Sequence, residues 1–201
     1  METKHFYDLL IKVQSVARIG LTFSRDPYAL ENYQKLLDLT TEFLNDFQNV
    51  DLSPNGYFER NIYPTPNVSV RTVCFNENGE VLLVKEASDG GYSLPGGWCE
   101  IDESPTEAAR GECLEEAGAD VEIIRLVGVI NRSPFKSPTS VREYALIFEG
   151  KVKGELKAHD YEIIDASFFP LDDLPPFSKK VTKEENMRMI MAAKNKKVIF
   201  D

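Results

Sequence analysis

The stretch Gly97–Ala119 constrains this chain more than any other, because it places many carboxylates on one short helix with clear ends. The four residues Ser104–Glu107 have the spacing of a capping box: serine is the N-cap, proline takes the first helical position and glutamate the third. Gly118 stands where a left-handed residue ends a helix. The pattern therefore predicts a helix over Pro105–Ala117.

Three glutamates, Glu112, Glu115 and Glu116, project from one face of this helix, and Glu103 lies just ahead of it. Like charges at this spacing repel, so the helix loses stability unless cations cover them. Hard divalent cations with oxygen ligands fit this need, and Mg²⁺ takes few carboxylates together with substrate phosphates. The alternative is an ordinary solvated acidic face. A stripe of small apolar residues beside the acids suits close packing on a sheet: Ala109, Cys113 and Ala117.

Composition favours a soluble cytoplasmic enzyme. The 201 residues are 42% hydrophobic, enough for a substantial core, and 23 basic against 33 acidic residues give a net charge of −10. This charge argues against non-specific nucleic-acid binding and against anionic membranes. The three cysteines lack metal-ligand spacing, and we expect reduced thiols, no signal peptide and no transmembrane segment.

The chain divides into an N-terminal helical region over 1–50, a linker over 51–66 and a larger domain over 67–201. A first helix is predicted from about Lys4 to Ile19, stopping at Gly20. A second begins after Asp26 as N-cap. Its apolar seam, with Thr40 between, needs a partner surface: Leu30, Tyr33, Leu36, Leu37, Phe43, Leu44 and Phe47.

The larger domain alternates strands with two helices. Asn78-Gly79 has the form of a tight hairpin turn between the first two strands. A C-terminal helix is predicted to begin near Thr182 and to run through Ala193. The predicted strands cover Val68–Phe75, Val81–Lys85, Glu122–Ile130, Tyr144–Val152 and Ala166–Phe169.

The acidic segment resembles the Nudix box, a pattern with glycine and glutamate at fixed positions over 23 residues. The positions in register are Gly97, Glu103, Glu112, Glu115, Glu116 and Gly118. One position differs from the box pattern: Gly111 stands where the box has arginine. The resemblance implies an α+β fold, the Nudix α/β/α sandwich with a mixed sheet, preceded here by the small helical region. It also implies a pyrophosphohydrolase.

The N-terminal region sharpens the resemblance. The segments Ile19–Ser24, Asp26–Tyr28 and Glu31–Tyr33 look like the start of a bacterial Nudix subgroup that hydrolyses nucleoside diphosphates linked to another moiety. ADP-ribose and CDP-choline are its typical substrates, and its N-terminal helices are associated with dimerisation, which implies a homodimer. Asn32 stands where this subgroup leads us to expect arginine.

By this resemblance, Glu112, Glu115 and Glu116 ligate Mg²⁺, or Mn²⁺, with the Gly96 carbonyl as a backbone ligand. Glu112, Glu115 and Glu162 are the candidate catalytic residues, and the carboxylate that takes the proton from water is left open between Glu162 and the box acids. Glu162 has the alternative of an ordinary exposed loop acid.

The candidate substrate-binding residues are Arg71, Trp98, Arg132 and Lys136. Arg71 lies on a strand that resembles one of this subgroup. Arg132 and Lys136 belong to a loop whose cations fit a phosphate or the second moiety, or simply face solvent. Trp98 either stacks near the substrate or covers the sheet edge.

The expected reaction is hydrolysis of a diphosphate bridge in a small nucleotide, giving a nucleoside monophosphate and a phosphorylated partner. Two alternatives stay open at the level of sequence. One is a nucleoside triphosphate pyrophosphohydrolase that releases pyrophosphate. The other is a non-catalytic Nudix-fold module that binds a nucleotide.

Overall fold

The structure is a computed structural model that describes residues 3–48, 65–136, 142–156 and 163–201. It contains two compact units, Met1–Thr65 and Pro66–Asp201. Most of the linker predicted over 51–66 lies outside the described residues.

The N-terminal unit is a pair of helices, α1 over Thr3–Phe23 and α2 over Pro27–Gln48. Asp26 caps α2 as expected, since its Oδ1 accepts a hydrogen bond from the Tyr28 backbone N–H at 3.0 Å. Leu37 and Leu44 are buried along the predicted seam, whereas Leu36 and Phe43 are exposed. One side of α2 therefore remains apolar and open to solvent.

The predicted stop of the first helix at Gly20 is wrong, because α1 continues to Phe23. Gly20 serves close packing instead of termination. A Cβ atom at Gly20 would overlap the ring of Tyr33 on α2. The missing side chain thus lets the two helices approach each other.

The described residues of the second unit form two sheets and two α-helices. Strand order is β1-β5-β4-β7 in the first sheet and β3-β2-β6 in the second, with parallel and antiparallel pairs in the first. This is the mixed α+β arrangement that the sequence predicts. The elements are β1 Asn67–Cys74, β2 Val81–Glu86, β3 Tyr92–Ser93, α3 Pro105–Ala117, β4 Asp120–Asn131, β5 Glu143–Lys153, β6 Ile163–Phe169, α4 Lys183–Lys194 and β7 Ile199–Phe200, with a 3-10 turn over Ser133–Phe135.

The turn at Asn78-Gly79 forms, but the hairpin predicted around it does not. Gly79 has a φ of 77°, and its N–H donates to the Asn76 carbonyl at 3.0 Å. Strands β1 and β2 then separate into different sheets after a single bridge between Phe75 and Val81. β1 pairs with β5 in parallel and β2 pairs with β6 in antiparallel, and these partners supply the ladder hydrogen bonds of the two strands.

Helix α3 has the predicted ends. Ser104 and Glu107 form both bonds of the capping box, and Gly118 closes the helix with a φ of 58°. The small residues of α3 are fully buried: Cys113 and Ala117 pack with Leu82, Val84 and Val121, and Ala109 packs with Val70 and Phe148. Close packing against the sheets fixes which way the adjoining acidic face of the helix points.

Helix α4 covers the side of the sheets that lies away from α3. Thr182 and Glu185 form its capping box. Met189 and Ile190 are buried against Val127 and Ile147 of the first sheet. The sheets therefore lie between α3 and α4, as the sandwich requires. Among the helices of the described residues, none has the length and apolar character needed to span a bilayer.

Candidate active site

A cleft of about 410 Å³ opens in the second unit where β1, the segment after β3 and helix α3 meet. Acidic and basic side chains line it in nearly equal number, which suits a ligand that carries negative charge alongside cations. Its lining residues are Ser69, Arg71, Gly96, Gly97, Trp98, Glu100, Glu112, Glu116, Arg132, Lys136, Glu143 and Lys180.

The two glycines before the acids place backbone directly against the site. The Gly97 carbonyl accepts from the Val70 N–H at 2.9 Å, so this segment extends the sheet beside β1. Gly96 has a φ of 148°, and a Cβ atom there would overlap the Val70 carbonyl oxygen. A Cβ atom at Gly97 would overlap the carboxylate of Glu112. Gly96 therefore requires glycine, whereas a side chain at Gly97 would displace the Glu112 carboxylate.

Glu112 and Glu116 face the cleft together from successive turns of α3. Burial, and then mutual repulsion, raises the pKa of Glu112 to about 7. Burial also raises the pKa of Glu116 to about 7, against the opposing hydrogen bond from the Gly96 N–H at 2.8 Å. Two half-buried carboxylates with raised pKa values in one cleft mark it as a candidate functional site.

Glu115 is the third acid of the helix, and it does not line the cleft. Its side chain is exposed, although it lies close enough to Glu112 to raise that residue's pKa further. Within the described ranges, no group of three acidic, histidine or cysteine side chains is arranged to enclose a metal ion.

The donor set still fits a hard divalent cation. Glu112 and Glu116 supply carboxylate oxygens, and neither forms an ion pair within 4 Å in the part of the chain that is described. A cation with two protein carboxylates leaves positions for water and substrate phosphates, which is how Mg²⁺ commonly binds. The predicted Gly96 carbonyl ligand stays a prediction, and the structure adds a role for the Gly96 N–H.

Arg71 lies on β1 behind the two acids. It is 5% exposed, and its Nε has no hydrogen-bond acceptor among the described residues. Burial lowers the pKa of the Arg71 guanidinium, and the nearby Arg132 lowers it further, against the attraction of Glu116 and Glu143. A buried arginine keeps its charge, so the missing acceptor is a substantial cost that an anionic ligand can offset.

Arg132 is placed differently from the expectation of a substrate contact. Its Nε donates to Glu185 at 2.8 Å, one terminal nitrogen donates to Glu143 at 2.9 Å, and the other donates to the Lys180 carbonyl at 2.9 Å. Burial lowers the pKa of Arg132, but the bonds to Glu185 and Glu143 raise it overall. These bonds favour a bracing role, and a direct substrate contact stays a prediction.

Lys136 and Trp98 form one wall. The Lys136 Nζ pairs with buried Glu143 and lies 5.6 Å from the centroid of the Trp98 ring, within the range of a cation–π contact. Trp98 is 49% exposed and bridges to Ser69 of β1. Its backbone covers the edge of β1, as one of the two sequence interpretations has it. Stacking of the half-exposed ring near a substrate stays a prediction.

Several cleft residues were not predicted from the sequence. Glu143 and Ser69 bond to each other, and Glu86 pairs with Lys180 at 2.9 Å beside the acids of α3. They come from four distant segments and follow no local spacing, so only the fold brings them together. Glu162, the remaining candidate base, lies outside the described residues.

Comparison with known proteins agrees with this geometry. The profile described as NUDIX domain matches residues 65–191, and that described as UDP-X-like, N-terminal oligomerisation domain matches residues 4–54. A Bacillus subtilis (strain 168) protein with the provisional name ADP-ribose pyrophosphatase YjhB is 35% identical over 196 residues, covering 94% of each chain. An ADP-ribose pyrophosphatase of Methanocaldococcus jannaschii is 32% identical over 61% of this chain and 75% of its own.

Solved structures give the same assignment. The crystal structure of a UDP-X diphosphatase aligns over 100% of this chain and 99% of its own, with a TM-score of 0.64 and 28% identity. An ADP-ribose pyrophosphatase from Streptococcus suis covers 68% of this chain and 100% of its own, with a TM-score of 0.58 and 34% identity. Nudix hydrolases generally use a divalent metal ion. The chain belongs to the Nudix family and is a Nudix pyrophosphohydrolase.

Proposed function

We propose that this enzyme hydrolyses the diphosphate bridge of a nucleoside diphosphate linked to a second moiety, with Mg²⁺ as the metal. The observation that carries the proposal is the buried Arg71, which lacks an acceptor for its Nε beside two carboxylates with raised pKa. A cation site and an unsatisfied guanidinium in one cleft of about 410 Å³ fit a metal-bound phosphate chain of small size.

Glu112 and Glu116 hold the metal in this proposal, and Glu115 and the Gly96 carbonyl complete the predicted ligand set. Held there, a divalent metal would offset charge on the phosphate oxygens and lower the pKa of the attacking water. Mn²⁺ has the same preference for oxygen ligands and is expected to substitute. The Gly96 N–H keeps the Glu116 carboxylate in one orientation.

The substrate contacts are assigned by charge and exposure. Arg71 donates to the diphosphate from the floor of the cleft. Trp98 presents a half-exposed ring to a base or to the second moiety. Lys136 holds that ring and contacts the phosphates, and Arg132 maintains Glu143 beneath them.

A carboxylate accepts the proton of the attacking water. Glu162 is the first candidate by family resemblance, with Glu112 and Glu115 as alternatives. Removal of a positioned general base costs about 10²- to 10⁴-fold in rate. Separate Glu162→Gln, Glu112→Gln and Glu115→Gln variants compare the candidates. Loss of the base should flatten the acidic limb of the pH–rate profile even at saturating Mg²⁺, whereas the loss caused by a missing metal ligand should be relieved in part by more Mg²⁺.

The names of the relatives guide the choice of substrates. They include ADP-ribose pyrophosphatases and a UDP-X diphosphatase, and the latter aligns over the whole chain. We therefore expect ADP-ribose, CDP-choline or a UDP-linked compound to be hydrolysed faster than a nucleoside triphosphate.

The N-terminal helices support a homodimer. The profile that matches residues 4–54 describes an oligomerisation domain, and α2 exposes Leu36, Leu39 and Phe43 along one side. Light scattering after size exclusion tests the proposal: wild type should have twice the mass of the chain, and a Leu36→Glu, Phe43→Glu variant should be monomeric. The free, buried Cys74 and Cys113 suit the reducing cytoplasm, which is where we place the enzyme.

A hydrolysis screen tests the function. ADP-ribose, CDP-choline, UDP-glucose and the nucleoside triphosphates are incubated with Mg²⁺ or Mn²⁺, and products are resolved by ion exchange. The proposal predicts a nucleoside monophosphate and a phosphorylated partner, and ¹⁸O-labelled water identifies the phosphorus that is attacked. Pyrophosphate as the main product, with triphosphates as the best substrates, would show the alternative triphosphate activity instead.

A further inference from the structure

Lys180 reaches the catalytic cleft from the loop that joins β6 to α4. Its Nζ lies 2.9 Å from Oε2 of Glu86, a carboxylate that is 4% exposed and also accepts from the Ser93 hydroxyl at 2.7 Å. The Lys180 side chain remains 46% exposed and lines the cleft with Glu112 and Glu116. An ammonium therefore stands beside the acidic face of α3.

Two other cations of the cleft, Arg132 and Lys136, are paired with carboxylates. Arg132 pairs with Glu143 and Glu185, and Lys136 also pairs with Glu143, so two cations and two carboxylates balance in charge there. Lys180 has three N–H donors, and Glu86 is its ion-pair partner within 4 Å in the described part of the chain. Donors therefore remain for water or for a ligand in the cleft. Once a divalent cation covers Glu112 and Glu116, this ammonium is no longer attracted to them and can serve an incoming anion.

The backbone on both sides of Lys180 is fixed. Asp89 Oδ2 accepts from the Ser178 hydroxyl at 3.1 Å and from the Lys179 N–H at 2.8 Å, while Oδ1 accepts a bond within its own turn. The Lys180 carbonyl accepts from Arg132 at 2.9 Å. A long side chain on a fixed backbone loses less freedom when it binds a ligand, so Asp89 prepares Lys180 for contact.

We propose that Lys180 is a further catalytic residue, which donates to a phosphate oxygen of the substrate diphosphate, and that Asp89 is a positioning residue for it. The inference rests on the proposed function. An ammonium is not a metal ligand, and a phosphate oxygen is the anion that the cleft accommodates. The Lys180 side chain is half exposed and lines the cleft, so a ligand there can reach its ammonium.

The test uses Lys180→Met in the full-length enzyme, with whichever of ADP-ribose, CDP-choline and UDP-glucose the wild type hydrolyses fastest. Loss of one charge-assisted hydrogen bond to phosphate should lower kcat/KM about 10- to 100-fold. Lys180→Arg should recover most of that loss. The matched control is Lys179→Met, an adjacent exposed lysine outside the cleft lining, which should stay within threefold of wild type.

A second pair of variants separates contact from charge balance. If Lys180 merely neutralises Glu86, the Glu86→Gln, Lys180→Met double variant should be more active than Lys180→Met alone. If Lys180 contacts the substrate, the double variant should stay at least as impaired as Lys180→Met. Asp89→Ala should lower kcat/KM several-fold when Lys180 is present and change nothing further in the Lys180→Met background, which a general loss of stability would not reproduce.

The outcomes are distinct. A Lys180→Met enzyme within threefold of wild type, or recovery of wild-type activity in the double variant, overturns the assignment of Lys180 while the proposed function stands. Hydrolysis of none of the three compounds by the wild type removes the proposed function itself. Thermal melting of each variant shows that the losses do not come from unfolding.

Discussion

Glu116→Gln should make the metal-free protein more stable at pH 8 while it impairs catalysis. Glu116 is held in a partly buried position where its ionised form is disfavoured, and its pKa is raised to about 7. Glutamine keeps the oxygen that accepts from the Gly96 N–H and removes the charge. The variant thus replaces a functional carboxylate by a neutral group of the same shape.

The magnitude follows from the pKa. A rise from 4.5 to about 7 corresponds to about 3–4 kcal/mol, at about 1.4 kcal/mol per pKa unit. Part of the rise comes from neighbouring charges, and the group is partly solvated, so we expect about 1–2 kcal/mol. Because the folded-state pKa is the higher one, the contribution of wild-type Glu116 to stability is fully present below pH 4.5 and is lost as pH rises through about 7. The advantage of glutamine over glutamate therefore appears as pH rises through about 7.

The assay is urea denaturation in EDTA at pH 5 and at pH 8, with Glu115→Gln as a control on the same helix. Glu115 is exposed, so its substitution should change the free energy of unfolding by less than about 0.5 kcal/mol at either pH. The difference between Glu116→Gln and wild type should appear at pH 8 and shrink at pH 5. Equal stabilities at pH 8 would refute the argument that burial of this charge costs free energy.

Three further predictions concern the box and its helix. Gly111→Ala should raise the free energy of unfolding by up to about 1 kcal/mol, because a Cβ atom there meets nothing within 4 Å. Gly111→Arg should raise turnover or Mg²⁺ affinity. Unchanged kinetics and calorimetry in Gly111→Arg would show that the missing arginine has no functional cost. Ser104→Ala should lower the free energy of unfolding by about 1 kcal/mol, since it removes the capping box, and urea denaturation measures this. Gly97→Ala should lower kcat by about tenfold or more, because the added methyl overlaps the Glu112 carboxylate, and a wild-type rate would contradict the close approach.

The sequence correctly predicted those helix ends that depend on residues nearby in the chain. The ends of α3 follow from Ser104 and Gly118, and the start of α4 follows from Thr182, because capping bonds span only three or four residues. The same reasoning mistook Gly20 for a stop, since the need for glycine there comes from Tyr33 on the next helix. Helix ends are local, whereas close approach between elements is a tertiary property.

The residues of the candidate site also fall into those that local spacing predicts and those that only the fold brings together. Glu112 and Glu116 face the cleft as their spacing predicts, because one helix carries both. The ion pairs of Glu143 with Arg132 and of Glu86 with Lys180 join segments that are far apart in the chain. No local pattern marks such residues, and their partners depend on which strands become neighbours in the sheet.

The central claim is that two half-buried carboxylates of α3 hold the metal for diphosphate hydrolysis. Its most direct test is to measure the Mg²⁺-dependent turnover of the Glu112→Gln and Glu116→Gln enzymes. Both variants should fold, bind Mg²⁺ more weakly by calorimetry and lose at least about 10²-fold in kcat, which is the scale of a lost catalytic group. Near-wild-type turnover and unchanged Mg²⁺ affinity in both variants would contradict the claim.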